Sequence, residues 1–171
     1  MWRLIARNLL TRPVADPAPA PDPAALEALG KRVADSGRQR LGRSLAIRHV
    51  DAGSCNACEL ELHALSNPYH DLERFGLSFV ASPRHADVLL VTGPVARNMR
   101  DALHATWVAV PEPRWVIAAG ACAIDGGCFA GAPEVLGGAD AVIPVDLTIP
   151  GCPPTPTALL AGLLALLAVE R

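Results

Sequence analysis

The chain has 171 residues, 17 acidic against 15 basic side chains, and a formal net charge of −2. That balance removes the electrostatic case for a nucleic-acid partner, and the length allows one domain with its own core. Hydrophobic residues make up 51% but aromatic ones only 4%, so Ala, Leu and Val must do the packing.

No apolar run reaches the ~18 residues that a membrane span needs. The longest, Ala158 to Val169, reads as a helix buried in the domain or against a partner. At the other end, Trp2, Ile5 and Leu9 share one helical face, bordered by Arg3 and Arg7. This amphipathic pattern suits a membrane surface or a membrane-embedded partner. Pro13, Pro17, Pro19, Pro21 and Pro23 then impose an extended spacer. Residues 1–23 are therefore set apart as an attachment segment. Residues 24–43 follow as a helix, Ala24 to Ser36, and a basic loop. Residues 44–171 form the folded domain.

Within that domain Leu45–Val50 reads as a strand, and Cys58 opens a helix through Ser66. Leu77–Ala81 and Val88–Thr92 are further strands, the second apolar throughout. Val95–His104 reads as a helix, Trp115–Ala119 as a fourth strand and Val142–Val145 as a short fifth. A last helix runs from Thr157, a candidate N-cap, to Val169. Strands alternating with helices predict an α/β, doubly wound, mostly parallel and flavodoxin-like sheet. In such sheets ligands bind beyond the carboxyl ends of the strands.

The chemistry lies in four cysteines. Cys55 and Cys58 form a Cys-x-x-Cys pair after the first strand, Cys122 follows the fourth, and Cys152 sits in Gly151-Cys152-Pro153-Pro154. Gly53, Gly120 and Gly151 allow close backbone approach, and Pro150, Pro153 and Pro154 stiffen the last loop. Four thiolates at strand ends suit one inorganic cluster. Three alternatives are weighed against it. Structural zinc usually comes with two short-spaced pairs, whereas here there is one. A redox dithiol leaves Cys122 and Cys152 idle. Disulfides need an oxidising compartment, and no secretory signal is visible. Cys128, the fifth cysteine, reads as a small buried hydrophobe. Glu59 is either a carboxylate favoured at a helix start or a group that tunes or protonates the site. Asp87 is expected to cap local backbone, and Asp146 to order the third ligand loop. Arg84 and His85 are read as either a partner-facing pair or a solvated turn.

Four stretches carry a resemblance: Gly53-Ser54-Cys55-Asn56-Ala57-Cys58-Glu59, Ser82 through Gly93, Gly120 through Gly127, and Pro144 through Pro156. From about Ser44 to Val169 the chain resembles the small, cluster-bearing subunit of energy-converting nickel–iron hydrogenases, the formate-hydrogenlyase and carbon-monoxide-induced types. These are relatives of the 20-kDa-type subunit of respiratory complex I. The resemblance implies one [4Fe-4S] cluster on Cys55, Cys58, Cys122 and Cys152. It implies an electron-transfer role within an oxidoreductase complex, with no catalytic site of its own. It implies as partners a hydrogenase-like large subunit, a ferredoxin-like electron-transfer subunit and membrane-embedded subunits, with the chain peripheral on the cytoplasmic side of the cell membrane. Two alternatives stand beside the hydrogenase reading, a complex I-type quinone reductase subunit and a zinc-stabilised interaction module. The complex I pattern has two adjacent cysteines in its first motif. Here Asn56 and Ala57 separate them, which is the hydrogenase-type arrangement.

Overall fold

The computed structural model describes Trp2 and residues 23–168. The amphipathic and proline-spacer readings of the first 22 residues lie, Trp2 apart, outside the described residues. Helix α1 (Pro23–Leu41) precedes strand β1 (Leu45–Asp51) and helix α2 (Ala57–Leu65). Strands β2 (Leu77–Phe79), β3 (Val88–Thr92) and β4 (Val95–Ala96) lead to helix α3 (Arg100–Ala109). Then come β5 (Trp115–Ala119), the short helix α4 (Ala121–Asp125), β6 (Val135–Gly137), β7 (Leu147–Ile149) and helix α5 (Pro156–Ala168).

Five strands make one sheet in the order β2-β1-β3-β5-β7, every neighbouring pair parallel. This is the flavodoxin-like doubly wound order, with its switch point between β1 and β3. Register aligns Asp51 with Thr92, Thr92 with Ala119, and Ala119 with Ile149. One row across the sheet therefore marks the carboxyl ends of β1, β3, β5 and β7. Cys55, Cys122 and Cys152 all come just after it in the chain.

Both faces of the sheet are covered, which is why β3 and β5 are buried at every position. Ile47, Val88, Leu90, Ile117 and Ile149 pack with α1, α2 and α5. Val50, Leu89, Val91, Val116 and Ala118 pack with Leu103 of α3 and Ala123 of α4 on the other side. The long apolar run of α5 is buried inside the first of these layers, with Leu159, Leu160 and Leu163 each 1% exposed. Gly162 lets α5 lie on the sheet edge, since a Cβ there would stand 2.3 Å from Ile149 Cδ1. α1 likewise crosses Phe75 at Gly30, where a Cβ would stand 2.5 Å from the ring.

Several boundaries differ from the expectations. α1 runs on through Gly37 to Leu41, because its second half packs beside Leu167 rather than fraying into a loop. The segment from Val95 does not start a helix. Val95 and Ala96 form a ribbon with β6, and the helix begins at Arg100. The fifth sheet strand is Leu147–Ile149, not Val142–Val145. Ile143 is instead buried, 2% exposed, after a 3-10 turn at Ala139–Ala141. The switch happens at Asp146, whose backbone N–H donates to Val116 O at 2.9 Å while its carboxylate accepts from Val116 N at 2.8 Å. Asp146 thus orders the approach to β7, upstream of the cysteine loop it was expected to hold. α5 is capped by Thr155 rather than Thr157: Ala158 N–H donates to Thr155 Oγ1 at 3.2 Å, and Pro156 takes the first helical position.

Candidate metal centre

Three loops carry the cysteines, and each is tied to its neighbours by backbone hydrogen bonds. Asp51 ends β1 and turns its Oδ1 back to accept from Gly53 N at 2.8 Å and Ser54 N at 2.7 Å. Ala52 N–H donates to Thr92 O at 2.9 Å, and Ala96 N–H to Ala52 O at 2.9 Å. The Cys55 loop is thereby stitched to β3 and β4. On the other side Gly120 N–H donates to Ile149 O and Ala121 N–H to Gly151 O, both at 2.8 Å. The Cys122 and Cys152 loops are thus zipped together as extensions of β5 and β7. The peptide bond between Cys152 and Pro153 is cis.

Glycine is required where the sulfurs come close. Gly120 has φ of 92°, and a Cβ on it would lie 2.7 Å from Cys58 Sγ. Gly127, with φ of 52°, would bring a Cβ within 2.9 Å of Cys122 Sγ. Both positions combine a backbone shape that side chains disfavour with no room for one.

The four cysteines named from the sequence are brought to one end of the sheet. Burial pushes the Cys58 thiol up to about 11, helped by the charge of Glu59 and then by the sulfurs of Cys122, Cys55 and Cys152. The other three are therefore electrostatic neighbours of Cys58. Burial also raises Cys122, with further contributions from Cys128 and Cys152. Cys122 is buried, Cys58 half-buried, and Cys55 and Cys152 exposed, and all five cysteines are free thiols. Cys128 is exposed, not buried as the sequence suggested, and its side chain and backbone both hydrogen-bond Cys122.

Among the described residues no three His, Cys, Asp or Glu side chains stand close enough to share one metal ion. A four-iron cluster takes each thiolate on a different iron, so a spread donor set of four soft ligands fits it.

Behind Cys58 lies a polar network that no sequence motif announced. Glu59 is only 7% exposed. Ser54 Oγ donates to its Oε2 at 2.6 Å, and Thr92 Oγ1 donates to its Oε1. His49 Nε2 lies 2.8 Å from Thr92 Oγ1 and 3.7 Å from Glu59 Oε1. Because the Thr92 hydroxyl proton is committed to Glu59, Nε2 is the donor in the His49–Thr92 bond. Burial lowers the His49 pKa, against the pull of Glu59 and Asp51. One signal was available beforehand: Thr92 closes an otherwise wholly apolar strand. Asp87, expected to cap backbone, does so by accepting from Ala46 N at 2.9 Å, and it also pairs with both terminal nitrogens of Arg43. Arg84 and His85 lie in a 3-10 turn with neither side chain buried.

The fold and the candidate site together define an α/β protein with a doubly wound parallel sheet and four cysteines following its strands. The family model for the NADH ubiquinone oxidoreductase, 20 Kd subunit, matches residues 55–166. The chain belongs to that family. It is 48% identical over 124 residues to formate hydrogenlyase subunit 7 of Escherichia coli, covering 72% of this chain and 49% of that one. It is 46% identical over 131 residues to the probable membrane-bound hydrogenase subunit mbhJ of Pyrococcus furiosus, covering 77% of each. With a subunit of the NADH-quinone oxidoreductase of Rubrobacter xylanophilus it shares 50% identity over 110 residues, or 64% of this chain and 44% of that one. The chain thus spans about half the length of the first and third of these relatives. Among solved structures it resembles a chain of the membrane-bound sulfane sulfur reductase, an archaeal respiratory membrane complex. The TM-score is 0.65 at 33% identity, covering 85% of this chain and 74% of that one.

Proposed function

We propose that the chain is the electron-transfer component of a membrane-associated oxidoreductase complex of the hydrogenase type. It carries one [4Fe-4S] cluster on Cys55, Cys58, Cys122 and Cys152. The observation that carries this reading is the convergence of those four thiols at the carboxyl edge of a parallel sheet, with Cys122, Cys55 and Cys152 all acting on Cys58. When bound, such a cluster supplies one-electron redox chemistry. The residues of this chain fix the ligand loops and keep water from Cys122.

The relatives named for hydrogenase complexes support a nickel–iron-type large subunit as the direct partner. A ferredoxin-like electron-transfer subunit and membrane-embedded subunits complete the proposed assembly, and the chain sits peripherally on the cytoplasmic side of the cell membrane. No helix among the described residues is long and apolar enough to cross a membrane. Leu60, two residues after Cys58, is 60% exposed, and Phe129, next to Cys128, is 39% exposed. That is apolar surface beside the proposed cluster where a partner would sit. In this reading residues 1–23 attach the chain to the complex, and residues 44–171 hold the cluster.

A complex I-type quinone reductase component is the second reading, since a relative named for an NADH-quinone oxidoreductase reaches 50% identity. The Cys55-Asn56-Ala57-Cys58 spacing favours the first. Anaerobic purification with the co-expressed neighbouring subunits tests both. Four iron and four sulfide per chain, on the order expected for one cluster, with a reducible paramagnetic signal, is the expected result. Stoichiometric zinc with no iron would overturn the cluster. Hydrogen evolution by the assembled complex, as against quinone reduction, separates the two partners.

A further inference from the structure

We propose that His49 binds a redox-linked proton: each electron that reaches the cluster at Cys58 is matched by a proton drawn from a cavity next to α2. The inference rests on the cluster reading above.

His49 stands where solvent and the cysteine site meet. Along β1, Ile47 packs in the layer that holds Leu62 of α2, and residue 49 shares that face of the strand. There the His49 Nε2 lies 2.8 Å from Thr92 Oγ1 and 3.7 Å from Glu59 Oε1, inside the network behind Cys58. The same side chain is 26% exposed and lines a cavity of about 360 Å³. Leu62, His63, Ser66 and Phe79 also line it. At ~30 Å³ per molecule the cavity has room for several waters. His49 therefore joins a space that water can enter to Glu59, 7% exposed, and to Thr92, fully buried.

The hydrogen bonding leaves the ring able to take a proton. With Nε2–H donated to Thr92, the Nδ1 lone pair is the group that binds one. The charged and titratable groups facing the ring are Glu59 and His63 on α2 and Asp51 and Arg48 on β1. Thr92 faces it from β3, and Phe79 of β2 brings no charge. Burial outweighs the pull of Glu59 and Asp51 and holds His49 below its ordinary 6.5, so the ring is neutral near pH 7 while the site is oxidised. One more negative charge at the cysteines stabilises the imidazolium and draws the proton in. The balance is one for one. An electron arrives from the proposed ferredoxin-like subunit, a proton passes from cavity water to Nδ1, and both leave when the electron moves on.

The test uses the full chain loaded with its cluster. Iron and sulfide counts and the reduced paramagnetic signal come first, so a missing cluster is told apart from a missing proton. Potentials are then measured with redox mediators over roughly pH 5 to 9, the range that histidines span. One proton per electron makes reduction tenfold easier for each unit that pH is lowered, about 59 mV in a one-electron couple. The wild-type potential should fall as pH rises, starting below 6.5, and level off where the reduced form no longer holds the proton. His49→Gln keeps an N–H for Thr92 and cannot take the proton, so its potential should not change with pH. His63→Gln alters the other histidine of the cavity and should keep the wild-type slope. Infrared difference spectra of wild type, reduced minus oxidised with isotope-labelled histidine, should show imidazole converting to imidazolium. That readout decides the matter even where His49→Gln fails to load iron. A pH-independent wild-type potential overturns the proposal. So does a slope that His49→Gln leaves intact or that His63→Gln removes, and so does a difference spectrum without histidine bands.

Discussion

Thr92 Oγ1 donates a hydrogen bond to Glu59 Oε1, joining the carboxyl end of β3 to the first turn of the helix that presents Cys58. Thr92 is fully buried and Glu59 nearly so, and the bond holds a carboxylate directly behind a proposed cluster ligand. Thr92→Val removes the donor and leaves Glu59 with Ser54 alone. A loss of about 1–3 kcal/mol in unfolding free energy is expected, the cost of an unpaired buried acceptor. Denaturant unfolding of the full chain measures it. Glu59→Gln keeps the shape and removes the charge. Reduction adds negative charge to the cluster, so losing a neighbouring anion favours the reduced state. Redox titration should find the potential raised by on the order of 100 mV, the size of a unit charge roughly 7 Å away at an effective dielectric of about 20.

Replacing Cys55, Cys58, Cys122 or Cys152 by Ser is expected to abolish or severely damage the cluster, because each is one of the four proposed thiolate ligands. Cys128→Ser is expected to leave it intact. The backbone hydrogen bond from residue 128 to Cys122 survives that change, since it does not involve the side chain. Iron and sulfide counts per chain check both arms. Equal loss in Cys128→Ser would remove the four-ligand assignment.

The cluster-free chain should lose stability in alkali. Burial, with Glu59 and the neighbouring sulfurs, raises Cys58 from 9.0 to about 11. A thiol that ionises less readily folded than unfolded stabilises the fold fully below pH 9.0, and this contribution fades as pH rises from 9.0 to about 11. Metal loading runs the other way with pH. The bound form needs thiolates, so loading releases protons and becomes more favourable as pH rises. Melting temperature of the cluster-free chain against pH, compared with Cys58→Ala, isolates the first effect. Proton release on reconstitution in weak buffer reports the second.

Asp87 is 4% exposed and serves Arg43 and the Ala46 amide at once. Asp87→Ala is expected to destabilise by about 1–3 kcal/mol, because the Ala46 amide loses its partner at the start of the sheet while Arg43 is free to hydrate. Arg43→Ala should cost less, since the Arg43 side chain is 57% exposed. Chemical denaturation of the two variants gives the comparison, and the reverse order would refute it.

Deletion of residues 1–23 is expected to leave iron content unchanged and to weaken retention in the membrane fraction. All four proposed ligands lie beyond Ser54, and the prolines separate Trp2, Ile5 and Leu9 from the folded body. Fractionation of the truncated complex, with iron assayed alongside, measures both. Loss of iron would make the segment part of the fold, and unchanged retention would end its attachment role.

What the sequence by itself determined was the architecture and the place of the cysteines. Unbroken apolar strands such as Val88–Thr92 have one stable home, a parallel sheet covered on both faces, and cysteines just after strand ends must then meet at its carboxyl edge. Tertiary structure decided the rest. Val142–Val145 looked like the better strand, yet Leu147–Ile149 pairs with β5, because the bonds between Asp146 and the Val116 backbone set where pairing begins. Val95–Ala96 had a helical pattern, but the edge of β6 offered pairing that local propensity does not record. The Glu59–Thr92–His49 network joins residues 33 and 43 positions apart along the chain. No local pattern encodes such a contact. It exists only because β1 and β3 lie side by side and α2 starts above their ends.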